Sequence, residues 1–253
     1  MRTLSLFVAA AALCVVGTEA RADSFKPSKS QQVKLGAQAA TQIRKQQRVL
    51  PDSDPRVKLV RKIGQKLMGT VDMGKDPWKF SFDVIESKEI NAFALPGGPT
   101  FVYTGLLDKL ETEDELAGVM GHEMTHVLKE HWAQQYAATQ KRELGIGILL
   151  GVLHANSAFQ NLGSVLDLVE GTKYSRKEES QADEGGFAKV AAAGYNPEGM
   201  ADVFRMFQKQ KSGGEFALLS DHPSDKSRID KIEKLILASK KTFPSQRPLM
   251  YAQ

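Results

Sequence analysis

Apolar positions fall at two different periods along this chain. Between 31 and 48 (QQVKLGAQAATQIRKQQR) they are sparse but helically spaced, predicting a polar, moderately amphipathic helix. Asp54-Pro55 then opens a second helix, with the acid at the N-cap and proline at the first helical position, and VKLVRKIGQKL continues the helical spacing. From 79 to 87 (KFSFDVIES) the period shortens: Phe80, Phe82 and Val84 alternate with polar neighbours, as in a half-buried strand. AFALPGGPTFVYTGLL (92 to 107) reads as two extended pieces around the turn Pro96-Gly97-Gly98.

Helical spacing then dominates. Thr112 and Glu115 make a capping box, predicting a helix from there to about Tyr136. The segment 144 to 170 is apolar and dotted with glycine, and Asn156, Gln160 and Asp167 follow its short core GIGILLGVL, so it is too short to span a bilayer. It reads as a helix pair that covers a cleft or packs into the core. Further helices run from about Arg176 to Ala193, stopped by Gly194; from Asn196-Pro197 through Lys211; and from Ser224 or Asp225 to about Ser239. Helices, a small sheet, then helices predict one mostly helical α+β domain.

The N-terminus belongs outside that domain. Arg2, an apolar run from Leu4 to Val16 and the triplet Ala20-Arg21-Ala22 have the layout of a cleavable signal peptide covering residues 1–22, leaving a domain over 23–253. The product is expected in a periplasm or outside the cell. Cys14, the only cysteine, lies in the removed piece, and bulky Leu13 before it disfavours lipid anchoring. An exported chain without disulfides must be held by its core. The 253 residues are 42% apolar and 25% charged, an ordinary soluble mix. A net charge of +4 from scattered basic residues leaves no nucleic-acid footprint.

Chemistry concentrates at GHEMTHVLKEH (121 to 131), which holds three of the five histidines. His122 and His126, four apart, lie about 40° apart on one helix face, so both imidazoles can reach one ion. Glu123 stands on the flank where an activated water would lie. Hydrolytic zinc sites keep three protein ligands and one open position, and the ion brings water's pKa to near 7. Glu123 can then take a proton from that water and hand it to the leaving nitrogen. The third ligand is sought in SRKEESQADEGG: Glu179 can complete a two-His, one-carboxylate site, and Asp183, four residues on, can fix a ligand histidine's tautomer. Glu178 and Glu184 compete on spacing alone. His131 reads as a packing histidine or one that bonds a ligand, and His154 as structural.

HEMTH, then YSRKEESQAD, preceded by NAFALPGGPTFVYTGLL and followed by DHPSDKSRI, resembles the HtpX-type and CAAX-prenyl-endopeptidase group of gluzincin zinc peptidases, nearest its soluble periplasmic, BepA-like branch. The resemblance spans about residues 30 to 240. It implies a zincin-like domain whose edge strand borders the active-site helix, one zinc per chain held by His122, His126 and Glu179, Glu123 as base, and Asp183 orienting a ligand. It also implies that Ala92, Phe93, Ala94, Leu95 and the stretch Pro99 to Tyr103 pair with extended substrate, with Gly97 and Gly98 folding the backbone close to the cleft. His222 would lie near the metal, either in the open position or on the transition-state oxyanion, unless it is a plain loop histidine. Arg228 is a second oxyanion candidate. Membrane-embedded relatives carry spanning helices where this chain has only 144 to 170, so no membrane span is expected. The implied substrates are unfolded or misassembled proteins, with outer-membrane assembly partners. The rival reading is a metal-binding chaperone or assembly factor with little proteolysis, against which an intact Glu123 argues.

Overall fold

The computed structural model describes residues 25–149, 173–210, 222 and 226–251, with side chains at 143–149 and 210 left aside. Along the chain come α1 (Lys29–Gln46), α2 (Pro55–Met68), β1 (Ser81–Ile85), β2 (Ala92–Ala94), β3 (Pro99–Tyr103), α3 (Thr104–Leu107), α4 (Glu113–Leu128), α5 (His131–Leu149), α6 (Arg176–Ala192), α7 (Glu198–Gln210) and α8 (Lys226–Ser239). This is the mostly helical α+β arrangement that the apolar periods predict. The expected signal peptide with Cys14, His154 and the part of 144 to 170 beyond α5 lie outside the described residues. Among those described, no helix is long and apolar enough to cross a membrane.

Local chemistry sets most boundaries where the sequence places them. Asp54 caps α2 by accepting Arg56 N–H, with Pro55 in the first turn, and Thr112 and Glu115 form the capping box of α4. Gly194 ends α6 at a φ of +76°, a conformation glycine adopts without strain. Two expectations need correction. The helix expected to reach Tyr136 is two helices: the chain turns at Glu130, whose φ is +55°, and α5 starts anew at His131. No glycine or proline marks that turn; the Glu130 carboxylate is held by Gln32 Nε2 at 2.8 Å and Lys26 at 3.1 Å. Thr104 to Leu107, expected extended, forms the short α3, tied to the chain before β2 by Gly105 N–H and Thr104 Oγ1, both donating to the Ser87 carbonyl at 2.8 Å.

The three strands lie in the order β1-β3-β2, with β3 parallel to β1 and antiparallel to β2. Both edges of β3 are therefore used. That overturns the expectation that Pro99 to Tyr103 pairs with substrate; β1 and β2 are the outer strands, β1 bridged on its far side by Val49 at Ile85 and β2 facing no further strand among the described residues. Alternation along the strands gives the sheet two apolar faces. Phe93, Phe101 and Tyr103 pack on Ala39, Ala40 and Ile43 of α1, while Val84, Ala92 and Val102 join a larger core with α2 and α4. Gly97 and Gly98 make the β2–β3 turn at φ +87° and +125°. A Cβ on Gly97 would come within 2.5 Å of the Val33 backbone, so the turn is fitted against α1.

α4 is the centre of the molecule and is buried from Glu113 to Val127. Its approach to α6 needs bare backbone: a Cβ on Gly121 would sit 3.3 Å from the Gly186 carbonyl, one on Gly186 3.1 Å from His122 N, and one on Gly185 2.4 Å from Thr125 Cγ2. This close crossing carries two carboxylates of α6 to the histidines of α4. The buried start of α4 is satisfied from outside the helix, because Asp114 accepts N–H groups from Asn196 (2.6 Å) and Arg247 (2.7 Å).

Candidate active site

Where α4 and α6 cross, the side chains singled out by spacing converge. His122 Nε2 and His126 Nε2 are 3.0 Å apart. Glu179 Oε2 lies 3.5 Å from the first and its Oε1 3.6 Å from the second. His222 Nδ1 stands 2.8 Å from Glu179 Oε1 and 3.3 Å from His122 Nε2. One ligand atom from each of His122, His126, Glu179 and His222 can be chosen so that all lie within 4.8 Å of one another, and all four residues are buried. The competitors are elsewhere. Glu178 caps α6 through Ser175 and accepts from Gln135 at 2.6 Å, and Glu184 is exposed and paired with Lys231.

A shell of bonds fixes these groups. Asp183, fully buried, has Oδ1 3.1 Å from His122 Nδ1 and takes both Nε (2.9 Å) and Nη2 (2.6 Å) of Arg228. Arg228 Nη1 is 2.7 Å from Glu179 Oε2, and its guanidinium lies over the Phe204 ring at 4.3 Å. Three of its nitrogens are thus engaged by carboxylates. Glu123 Oε2 accepts Ala94 N–H at 3.1 Å, while Oε1 is buried without a hydrogen-bond partner, 3.5 Å from His222 Nε2.

The electrostatics follow from burial and these partners. Burial would lower His122, but the Asp183 hydrogen bond and Glu179 outweigh it and carry the imidazole up to about 9. Burial would raise Glu179, yet bonds from His122 and His222 hold it well below the carboxylate range. Asp183 is likewise held low by His122 and Arg228 against burial. Burial raises Glu123, opposed by the neighbouring His222 and His122. Burial lowers His126, and His122 and His222 lower it further, leaving it neutral.

The donor set fits zinc. Ligand atoms at roughly 2.0–2.1 Å from a tetrahedral ion stand roughly 3.3–3.4 Å apart. The separations of 3.0, 3.5 and 3.6 Å among His122, His126 and Glu179 bracket that value, and His222 Nδ1 at 3.3 Å from His122 Nε2 matches it. Two imidazole nitrogens facing each other at 3.0 Å need a proton or a cation between their lone pairs. The orphaned Glu123 Oε1 beside them is an acceptor awaiting a donor.

Next to the cluster lies a narrow apolar slot, with about 30 Å³ open to the centre of a water-sized sphere, between Gly118 and Val119 of α4 and Met200, Val203, Phe204 and Phe207 of α7. His122, Glu123 and His222 also line it. Of the expected substrate-pairing residues, Ala94 is brought to Glu123, whereas Gly97 and Gly98 are packed on α1 and Lys79-Phe80. Sequence reasoning missed Tyr174, whose ring lies 3.9 Å from that of His126 and 5.3 Å from His222, and Gln181, which bonds His131 at 3.0 Å. The signal for both was their place in YSRKEESQAD, within five residues of Glu179.

A family model for peptidase family M48 matches residues 55–236, most of the chain and all of these groups. The chain belongs to peptidase family M48. Among M48 relatives it is 30% identical over 189 residues to the mitochondrial metalloendopeptidase OMA1 of Schizosaccharomyces pombe, covering 74% of this chain and 55% of that protein. It is 29% identical over 155 residues to the metalloprotease LoiP of Escherichia coli, covering 60% and 61%. It is 27% identical over 180 residues to the beta-barrel assembly-enhancing protease of the same organism, covering 67% and 37%. The chain therefore spans between about a third and three-fifths of the length of these relatives. M48 membership accords with a zincin-like domain in which β2 borders the active-site helix α4.

Proposed function

We propose that this chain is an exported zinc endopeptidase that hydrolyses peptide bonds in unfolded or misassembled proteins. One observation carries the reading: a buried constellation of His122, His126, Glu179 and His222 with ligand atoms within 4.8 Å, set against an unpartnered carboxylate oxygen of Glu123. His122, His126 and Glu179 would hold the ion. When bound, it supplies Lewis-acid charge at the scissile carbonyl and makes water acidic enough to lose a proton near neutral pH. Glu123 Oε1 accepts that proton and returns it to the leaving nitrogen, while Ala94 N–H keeps the other oxygen in place. Asp183 holds His122 with Nδ1 protonated, so Nε2 faces the ion, and Arg228 balances the two carboxylates beneath.

Substrate would pair with the outer edge of β2. Asn91 and Leu95 bond to β3 through Tyr103 N–H→Asn91 O (3.0 Å) and Leu95 N–H→Pro99 O (2.7 Å). Antiparallel alternation then turns the backbone groups of Ala92 and Ala94 away from β3; the Ala94 N–H is taken by Glu123, which leaves the Ala92 N–H and the two carbonyls for an added strand. Such pairing reads main chain and suits unfolded clients. His222 would occupy the open ligand position in a resting enzyme and withdraw for catalysis, a reading supported by its Nδ1 lying among the ligand atoms. Export rests on the leader-like residues 1–22, and a relative named for β-barrel assembly supports partners in outer-membrane assembly. The test is metal analysis of purified protein with digestion of casein, with and without chelator. About one zinc per chain and chelator-sensitive cleavage support the reading; a metal-free, inactive protein opposes it.

A further inference from the structure

We propose that His131 and Gln181 act as a positioning pair for His126, holding its imidazole in the Nδ1–H form so that Nε2 is left free for the metal. The inference rests on His126 being a metal ligand.

The geometry is a short relay. His131, the first residue of α5, is fully buried, and its Nδ1 lies 2.9 Å from His126 Nδ1. Its other nitrogen, Nε2, lies 3.0 Å from Gln181 Oε1 on α6. A neutral imidazole has one N–H and one lone pair, so the two bonds of His131 are not independent. With the Gln181 carbonyl facing it, His131 must donate from Nε2. Its Nδ1 is then an acceptor, His126 must donate from Nδ1, and His126 Nε2 presents its lone pair toward His122 Nε2, 3.0 Å away. If the Gln181 amide turned over, each step would reverse, and His126 would point an N–H at the place of the ion. One amide two residues from a ligand thus selects the tautomer of another ligand.

The arrangement also explains the composition of α6. Asp183 orients His122 directly and Gln181 orients His126 through His131, while Glu179 lies within 3.6 Å of the Nε2 atoms of both. The pocket already buries the carboxyl groups of Glu123, Glu179 and Asp183, with the Arg228 guanidinium engaging the last two. A carboxylate at the end of the His126 relay would add another buried negative charge, and the neutral amide avoids it. The turn at Glu130 gains a purpose as well. It starts α5 at His131 and brings that ring to 4.8 Å from the ring of His126, with Tyr174 lying over both at 3.9 and 6.1 Å.

The experiment separates positioning from packing. Asparagine puts its Oδ1 near the place of histidine Nδ1, whereas glutamine fills the place of Nε2 and offers no acceptor to His126. Zinc affinity, measured by competition with a chromogenic chelator, should fall roughly 10- to 100-fold in His131→Gln and in Gln181→Leu, and stay within about threefold of wild type in His131→Asn. Long-range ¹⁵N–¹H spectra of zinc-free wild-type protein should show His126 protonated at Nδ1, and Gln181→Leu should populate the Nε2–H form. Equal losses in the asparagine and glutamine variants, or an Nε2–H His126 in zinc-free wild type, would overturn the proposal. If the His131 variants do not fold, Gln181→Leu, at a half-buried position, decides alone. A wild-type protein that bound no zinc would refute the peptidase reading, while the zinc-free spectra would still decide the relay.

Discussion

Glu123 Oε2 accepts the backbone N–H of Ala94 at 3.1 Å, joining the active-site helix to the outward-facing edge of β2. The group placed to act as base is thus registered against the strand placed to bind substrate. One oxygen is fixed by the sheet; the other, Oε1, faces the histidine cluster with no hydrogen bond of its own.

Arg228 should matter for stability before it matters for turnover. Its guanidinium engages Asp183 twice and Glu179 once, all buried. Arg228→Ala leaves those carboxylates without their guanidinium, and removal of one partner from a buried pair costs about 3–5 kcal/mol. Urea unfolding of zinc-free protein should show a loss of that order, and Arg228→Lys should recover only part of it, since an ammonium cannot span both carboxylates. A loss below about 1 kcal/mol in the alanine variant would contradict the assignment.

His222→Ala should raise proteolysis. Its Nδ1 sits 2.8 Å from Glu179 Oε1, inside the ligand cluster, so removing it opens the fourth position. Digestion of a disordered substrate and self-digestion should both speed up, with zinc content unchanged. A fall of about a hundredfold would place His222 on the oxyanion instead.

The apolar slot should set cleavage preference. Glu123 lines the slot together with Val119 and Val203; under the proposed mechanism it returns its proton to the leaving nitrogen, and the residue carrying that nitrogen would point its side chain into the slot. Cleavage sites in casein, mapped by mass spectrometry, should be enriched about tenfold or more over alanine in Leu, Ile, Met or Phe directly after the cut bond. Val203→Phe, which fills the slot, should shift the preference to Ala and Ser. No enrichment in the wild type would remove the slot from the substrate path.

The motif chemistry was legible because helical spacing translates directly into shared faces. His122, Glu123 and His126 needed only one correctly placed helix, and the capping box of Thr112 and Glu115 supplied it. Glu179 was separable from Glu178 and Glu184 only in three dimensions, since the capping bonds that occupy Glu178 depend on where α6 begins. The turn at Glu130 was hidden, because its left-handed φ is held by Gln32 and Lys26 from 98 and 104 positions away in the chain, roughly, rather than by a glycine. Sheet order was illegible for the same reason: nothing in Pro99 to Tyr103 announces a central strand, and the parallel pairing with β1 is a long-range fact. Arg228 could be found by its place in DHPSDKSRI, but its partners only by the fold.

Lys189 supplies a pH prediction away from the metal. Burial and the nearby Lys129 push it down to about 8 from an ordinary 10.5, and its ammonium donates to Thr125 Oγ1 (3.0 Å) and the Gly185 carbonyl (3.1 Å). With the folded value below the unfolded one, the unfolded chain binds more protons between pH 8 and 10.5, so this group makes stability rise with pH across that window. The stability of Lys189→Met minus wild type should therefore fall by roughly 1–3 kcal/mol from pH 7 to pH 10.5, read by urea unfolding. A flat difference would show that Lys189 is not depressed.

The most direct test of the whole account is Glu123→Gln, measured for zinc content and casein cleavage on the same preparation. The amide keeps the shape beside Ala94 and leaves His122, His126 and Glu179 in place, so about one zinc per chain should remain. It cannot accept a proton, so cleavage should fall by at least about 10²- to 10⁴-fold. Wild-type turnover in the zinc-loaded variant would contradict Glu123 as the base, and loss of zinc along with activity would show that Glu123 helps hold the metal instead.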